Sequence, residues 1–251
     1  MCILMITEQG ASVKKESHRI FIEKDEKELC EIQTRNLDAL GIMGNAQVTT
    51  QAMCVLAEDD VPITYLSLSG DIKGQFLPLA NKNTSLRYEQ YRVCDNQEAR
   101  LWFARQMVFR KICTYMDFYR AQQKNHPIAE IGNLADTFEK MAAKSLLASS
   151  LDELNGIEGY AARTHFSQYG KLFKCGLTFT TRSKYPPLDE INAMLSFGYT
   201  MLFKLINGML VAAGLDPYSG FLHRNEYNRH GLTCDLQEHY RVKCVDAMVL
   251  R

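Results

Sequence analysis

EARLWFARQMVFRKICTYMDFYRAQ, residues 98–122, decides how the rest of the chain is read. Leu101, Trp102, Ala104, Met107, Val108, Ile112, Tyr115 and Tyr119 recur close to every 3.6 residues over several turns, which predicts a long helix with one buried face. Arg100, Arg105, Arg110, Lys111 and Arg120 fall to its other side in this reading, as a solvated basic surface.

Towards the N-terminus the period changes. Short β-favouring runs at Cys2 to Ile6, Arg19 to Ile22, Leu29 to Ile32, Leu40 to Met43 and Ile63 to Leu66 alternate with turn signals such as Gln9-Gly10 and Ser69-Gly70. One helix, Thr49 to Ala57, interrupts them, with Thr49 or Thr50 available as its cap. A polar connector through Asn81, Lys82 and Asn83 follows. The reading is an α+β chain: a β-rich domain over residues 1–75, a linker over 76–88 and an all-helical domain over 89–251.

Within the helical part, a helix is expected from about Ile131 to Leu147. Ser150-Leu151-Asp152-Glu153 reads as a capping box opening the next one. The run Ile191 to Ala213 approaches bilayer-spanning length, but Asn192, Ser196, Lys204 and Asn207 interrupt it, so it is expected to be the central core helix and not a membrane span. Pro186-Pro187 marks its start, and Gly214 with Pro217 its end.

Composition sets bounds. With 251 residues, 46% of them apolar and 23% charged, the chain can build two cores, and disorder is excluded. Its 29 basic and 29 acidic residues balance, so any contact with nucleic acid must come from local clustering. Cys2, Cys30, Cys54, Cys94, Cys113, Cys175, Cys234 and Cys244 form no C-x-x-C pair, which favours a reduced, cytoplasmic setting.

Three stretches carry the candidate chemistry. Glu158 sits in Asn155-Gly156-Ile157-Glu158-Gly159-Tyr160-Ala161-Ala162, flanked by small residues and with no base at i+4; it reads equally as a ligand or as an exposed helix glutamate. His223 follows the turn-rich Asp216-Pro217-Tyr218-Ser219-Gly220, a setting that presents a side chain to a site but that also suits a surface histidine. Asp235 and Glu238 are three apart, hence on one helical face. Their plainer roles are a helix N-terminal charge and an i+3 partner for Arg241. One imidazole with several carboxylates favours magnesium or manganese over structural zinc.

Read in order, Gly156-Ile157-Glu158-Gly159-Tyr160-Ala161-Ala162-Arg163, Pro186-Pro187-Leu188-Asp189, Gly214-Leu215-Asp216-Pro217 through Gly220-Phe221-Leu222-His223, and Asp235-Leu236-Gln237-Glu238 resemble the Cas1 family, the CRISPR-associated endonuclease and integrase of spacer acquisition. Glu8-Gln9-Gly10, Gly44-Asn45-Ala46-Gln47 and Pro62-Ile63-Thr64-Tyr65-Leu66 extend the resemblance over nearly the whole chain. It implies metal ligands at Glu158, His223 and Glu238, with Asp235 nearby, a Mg2+ or Mn2+ cofactor, and attack of a DNA 3′-hydroxyl on repeat DNA. It also implies phosphate contacts through Arg163, Arg182, Arg224, Arg229 and Arg241, dimerisation through the β-rich domain, and a complex with a small companion adaptation protein on double-stranded and branched DNA. Further helices are expected beyond Arg251, since the pattern from Lys243 stops uncapped. Asn228 and Tyr185 depart from the family, which commonly has glycine and often arginine there. A silent DNA-binding scaffold and a hydrolase of small phosphodiesters are the other two readings.

Overall fold

The structure is a computed structural model. It describes residues 2–68, 70, 72–78, 84–125, 131–174, 176–223 and 229–251. The connector residues Asn81, Lys82 and Asn83, together with Arg224 and Asn228, lie outside the described residues.

The chain divides into two compact units, one formed by residues 1–84 with 211–214 and one by residues 85–210 with 215–251. In the first, β1 (Ile3–Ile6), β5 (Ala39–Met43), β7 (Ile63–Leu66) and β8 (Ile72–Phe76) form one four-stranded sheet in the order β1-β5-β7-β8. Its first three strands run parallel and β8 pairs antiparallel to β7. The second sheet has the order β4-β3-β2-β6, from β4 (Lys27–Gln33), β3 (Arg19–Lys24), β2 (Ser12–Glu16) and β6 (Gln47–Val48). Ile6, Val13, Ile20, Ile22, Leu40, Ile42 and Ile63 turn inward onto Ala52, Val55 and Leu56 of helix α1 (Thr50–Glu58). Thr49 caps that helix, its Oγ1 accepting from the Ala52 amide at 3.3 Å.

Sequence patterning missed β2, β6 and β8. In β2 only Val13 is fully buried; the strand is held by its antiparallel pairing with β3 over Ser12 to Glu16, and Lys14 is ion-paired to Glu23 of β3. Cross-strand pairing can hold such a polar strand without an apolar alternation.

The second unit is helical: α2 (Thr84–Asp95), α3 (Gln97–Asn125), α4 (Leu134–Leu147), α5 (Leu151–Tyr169), α6 (Glu190–Ala212), α7 (Gly231–Arg241), a π turn (Val242–Asp246) and a short α8 (Ala247–Val249). α3 buries Ala104, Val108, Lys111, Ile112, Tyr115, Phe118 and Tyr119 against its neighbours. One of these is a lysine that the sequence reading assigned to the outer face. The α5 cap forms much as expected: Ser150 Oγ accepts from the Glu153 amide at 3.1 Å, while the Glu153 carboxylate reaches back to the Ser149 amide at 2.8 Å.

α6 begins at Glu190, where Asp189 Oδ1 accepts from the Asn192 amide at 2.7 Å. Among the described residues it is the one helix long and apolar enough to cross a membrane. It is not the fully enclosed central helix that its composition suggested. Ile191, Leu195, Tyr199, Leu202, Ile206 and Leu210 are buried along one face, while Met194, Phe197, Leu205 and Met209 are exposed. The described elements pack against one side only. On the buried side Asn192 is satisfied by Asp189, Thr181 and Arg182, the pattern of a helix seated on a protein core.

Candidate metal and phosphate site

Lys111 of α3, Glu158 of α5 and Glu238 of α7 meet in the second unit. The Lys111 ammonium hydrogen-bonds Glu158 Oε1 and lies 2.6 Å from Glu238 Oε2. Lys111 is 3% exposed and Glu238 8%, so both charges are held inside the protein. Burial pushes the ammonium towards its neutral form, but Glu238, Tyr115 and Glu158 more than offset this, and the group stays charged well above the ordinary lysine range. Burial likewise pushes the Glu238 carboxyl up. Lys111 and Arg241 outweigh it and hold Glu238 at about 2.

His223 is presented by the loop after α6, and that loop is tied from three sides. Gln90 of α2, itself buried, donates to the Asp216 and Ser219 carbonyls at 2.8 and 2.9 Å and accepts from the Asp216 amide at 2.9 Å. Arg100 Nε donates to the Phe221 carbonyl at 2.7 Å. Asp235 of α7, 1% exposed, completes the hold: its Oδ2 accepts from the Phe221 and Leu222 amides at 2.6 and 3.0 Å. Its Oδ1 accepts from the His223 amide at 3.2 Å and from the His223 ring at Nδ1, 2.5 Å away. An ionised carboxylate only accepts, so Nδ1 carries a ring proton, and the neutral imidazole held in this way has its lone pair on Nε2.

Gly220 makes this approach possible. A Cβ there would stand 2.5 Å from the Gly231 carbonyl carbon and 2.9 Å from Asp235 Oδ2. Any side chain would push the loop off α7.

Arg182 and Arg241 converge on Tyr199, their guanidinium carbons 5.4 and 4.8 Å from its ring centre. Arg182 also donates to Asn192 Oδ1 at 2.8 Å and Ser196 Oγ at 2.9 Å. Arg241 pairs with Glu238 Oε1 and donates to Gln237 Oε1 at 3.1 Å. Both are thus engaged within the protein, where the sequence reading gave them to DNA. Arg163 and Arg229 are exposed. Behind the site, Asp246 accepts from Tyr199 at 2.5 Å and pairs with the buried His165 at 3.0 Å.

Among the described residues no three His, Cys, Asp or Glu side chains form a ready cation cage. Two carboxylates nevertheless already share one positive charge. Glu238 Oε2 is buried against the Lys111 ammonium, 2.6 Å away. Two carboxylates gathered on one buried ammonium, with the His223 imidazole on the loop that Asp235 ties to α7, fit a hard divalent ion in donor chemistry.

Sequence reasoning missed Lys111, Gln90 and Arg100. For Lys111 the signal was present: it lies three residues after Val108 and four before Tyr115, on the buried face. Gln90 and Arg100 act on backbone atoms far along the chain and leave no local signal.

The family model described as CRISPR associated protein Cas1 matches residues 4–251. A CRISPR-associated endonuclease Cas1 of Methanopyrus kandleri is 36% identical over 211 residues, covering 84% of this chain and 63% of its own. A Cas4 exonuclease/Cas1 endonuclease fusion of Geobacter sulfurreducens is 30% identical over 256 residues, covering 98% of this chain and 46% of its own. The solved structure of a Cas1 protein from Thermotoga maritima superposes with a TM-score of 0.78 at 25% identity, covering all of this chain and 78% of that one. The chain therefore spans roughly half to two thirds of the length of these two curated relatives.

Proposed function

From the premise that this chain belongs to the Cas1 family, we propose that it is the catalytic part of a metal-dependent DNA endonuclease and integrase, joining DNA fragments to a CRISPR array by attack of a 3′-hydroxyl on a phosphodiester. The observation that carries the reading is the meeting of Glu158 and Glu238 on one buried positive charge. Glu158, Glu238 and His223 Nε2 would hold the ion. Bound Mg2+ or Mn2+ would polarise the scissile phosphate and stabilise charge on its oxygens.

The chain's own groups have separate tasks. Asp235 fixes the His223 tautomer and orientation, as outer partners of metal-binding histidines do, and is not needed as a direct ligand. Arg241 keeps Glu238 ionised from the side opposite Lys111. Exposed Arg163 and Arg229 are suited to phosphate oxygens, with Arg224 in the same stretch of sequence as Arg229. Pairing of β-rich units between two copies, and a small companion protein bridging dimers on duplex DNA, complete the proposal.

The test is strand cleavage and joining on branched DNA with and without Mn2+, comparing the parent with Glu158→Gln, His223→Ala and Glu238→Gln. Each variant is expected to lose roughly 100-fold or more of the metal-stimulated rate while keeping its helical circular-dichroism spectrum. Parent-like rates in all three would refute the assignment. Steeply salt-sensitive DNA binding with no strand chemistry in the parent would mark a scaffold instead.

A further inference from the structure

Lys111 poses a problem that packing alone does not answer. A fully buried ammonium is costly to desolvate, and well-packed apolar side chains often stabilise a helix interface as well as a buried ion pair does. Here the lysine comes from α3, its two acidic partners come from α5 and α7, and its Nζ stands between their carboxylates. A divalent ion held by Glu158 and Glu238 would compete with the ammonium for the same oxygens. Two cations cannot share them: at bonding distances from common oxygens their repulsion is severe in a protected site.

We propose that Lys111 is the site's resident cation, an intrachain placeholder that holds Glu158 and Glu238 together without metal and that a divalent ion must displace on entry. The inference rests on the metal reading above and deepens it. The ammonium offsets the repulsion between the buried Glu238 and half-buried Glu158 carboxylates, keeping α5 and α7 in register with α3. Metal uptake then becomes an exchange of cations, so that part of the ion's binding energy goes into releasing the lysine. Glu158 and Glu238 fit this role, because each sets one carboxylate oxygen directly against the Lys111 ammonium. Arg241 stays on Glu238 Oε1 throughout and keeps the second carboxylate aligned. Lys111 is in these terms a positioning residue that sets metal affinity.

The experiment is Mn2+ titration followed by calorimetry and by thermal melting, on the parent, Lys111→Met and Glu158→Gln. Lys111→Met is expected to melt below the parent without metal, to bind Mn2+ about tenfold tighter or more, equivalent to about 1.4 kcal/mol, and to gain more melting temperature from it. Glu158→Gln is expected to bind Mn2+ more weakly than the parent. Parent and Lys111→Met binding Mn2+ equally, with Glu158→Gln weakened, overturns the placeholder role and leaves the metal site standing. No carboxylate-dependent binding in any protein removes the metal reading and the placeholder with it. Should Lys111→Met not fold, the parent labelled with 15N at lysine Nζ decides: Mg2+ is expected to shift the buried ammonium resonance, and an unmoved resonance under saturating Mg2+ overturns the proposal.

Discussion

Replacing Asp235 with asparagine removes one charge and one acceptor while changing almost no volume, so its consequence can be worked out from the hydrogen bonds it breaks. Asp235 is buried, and both of its oxygens receive donors: the Phe221 and Leu222 amides on Oδ2, the His223 amide and Nδ1 on Oδ1. Asparagine keeps one oxygen. If that oxygen faces the two amides, its NH2 group confronts His223 Nδ1, which must give up its proton; the ring proton moves to Nε2 and the lone pair leaves the metal side. If it faces the imidazole instead, NH2 confronts two backbone N–H groups and the loop is expelled from α7. Hydrogen bonds to a charged acceptor contribute about 1.5–3 kcal/mol each, so losing or weakening two of them costs on the order of 2–4 kcal/mol. For a helical unit of this size that lowers the melting temperature by roughly 5–15 °C. Metal affinity or activity should fall roughly 10–100-fold, the usual effect of disturbing an outer partner of a ligand histidine. The assays are Mn2+-dependent cleavage, thermal melting and the 15N ring shifts of His223. An Asp235→Asn protein that cleaves at the parent rate, or whose His223 retains its Nδ1 proton with the loop in place, would refute the reasoning.

Glu238 makes stability depend on acid. Its carboxyl is held at about 2, below its ordinary value of 4.5, by Lys111 and Arg241 acting against burial; the native state therefore binds fewer protons than the unfolded one. That contribution is fully present above about pH 4.5 and is lost as pH falls towards 2, with an upper bound on the order of 3 kcal/mol. Denaturant titrations between pH 6 and 2 should show this slope reduced in Glu238→Gln, and an unchanged slope would remove Glu238 as its source. Gly220→Ala should cost activity without touching a candidate ligand, because its Cβ meets the α7 backbone at 2.5–2.8 Å and Asp235 at 2.9 Å. A Gly220→Ala protein with parent-like melting and cleavage would show that the loop does not need that approach.

Local rules carried the reading of the fold far where one element's own residues decide it. The α3 helix, the Thr49 cap and the Ser150–Glu153 box are each written within a few residues and form at the expected place, although Trp102, assigned to the buried face of α3, is exposed and Lys111 is buried. They failed where pairing partners decide: β2 and β8 are polar or glycine-containing strands whose identity comes from neighbours in the sheet. The apolar length of α6 failed for a related reason, since composition reports how much apolar surface a helix has and not how many sides are covered.

At the site the physics read from Asp235 and Glu238 applies, but the fold distributes it unequally. Sharing a helix face at i+3 brings both inward, yet one turn of rise aims Asp235 at the His223 loop and Glu238 at α3. Each carboxylate therefore finds its own neutralising partner, backbone amides and an imidazole for one, Lys111 and Arg241 for the other. The absence of a base at i+4 leaves the role of Glu158 open in the sequence. Its partner lies 47 residues earlier on another helix, where local spacing cannot show it. Lys111 and Arg241 sit on the two oxygens of Glu238, and Lys184 acts on that carboxylate as a further cation. Of the two in contact, the arginine is fastened to Gln237 and to the face of Tyr199, whereas the lysine ends a flexible stem able to withdraw. A withdrawable counter-cation held between two carboxylates is the electrostatic condition under which an entering divalent ion gains by exchange, which is why Lys111, and not a further carboxylate, is the residue on which the metal reading turns.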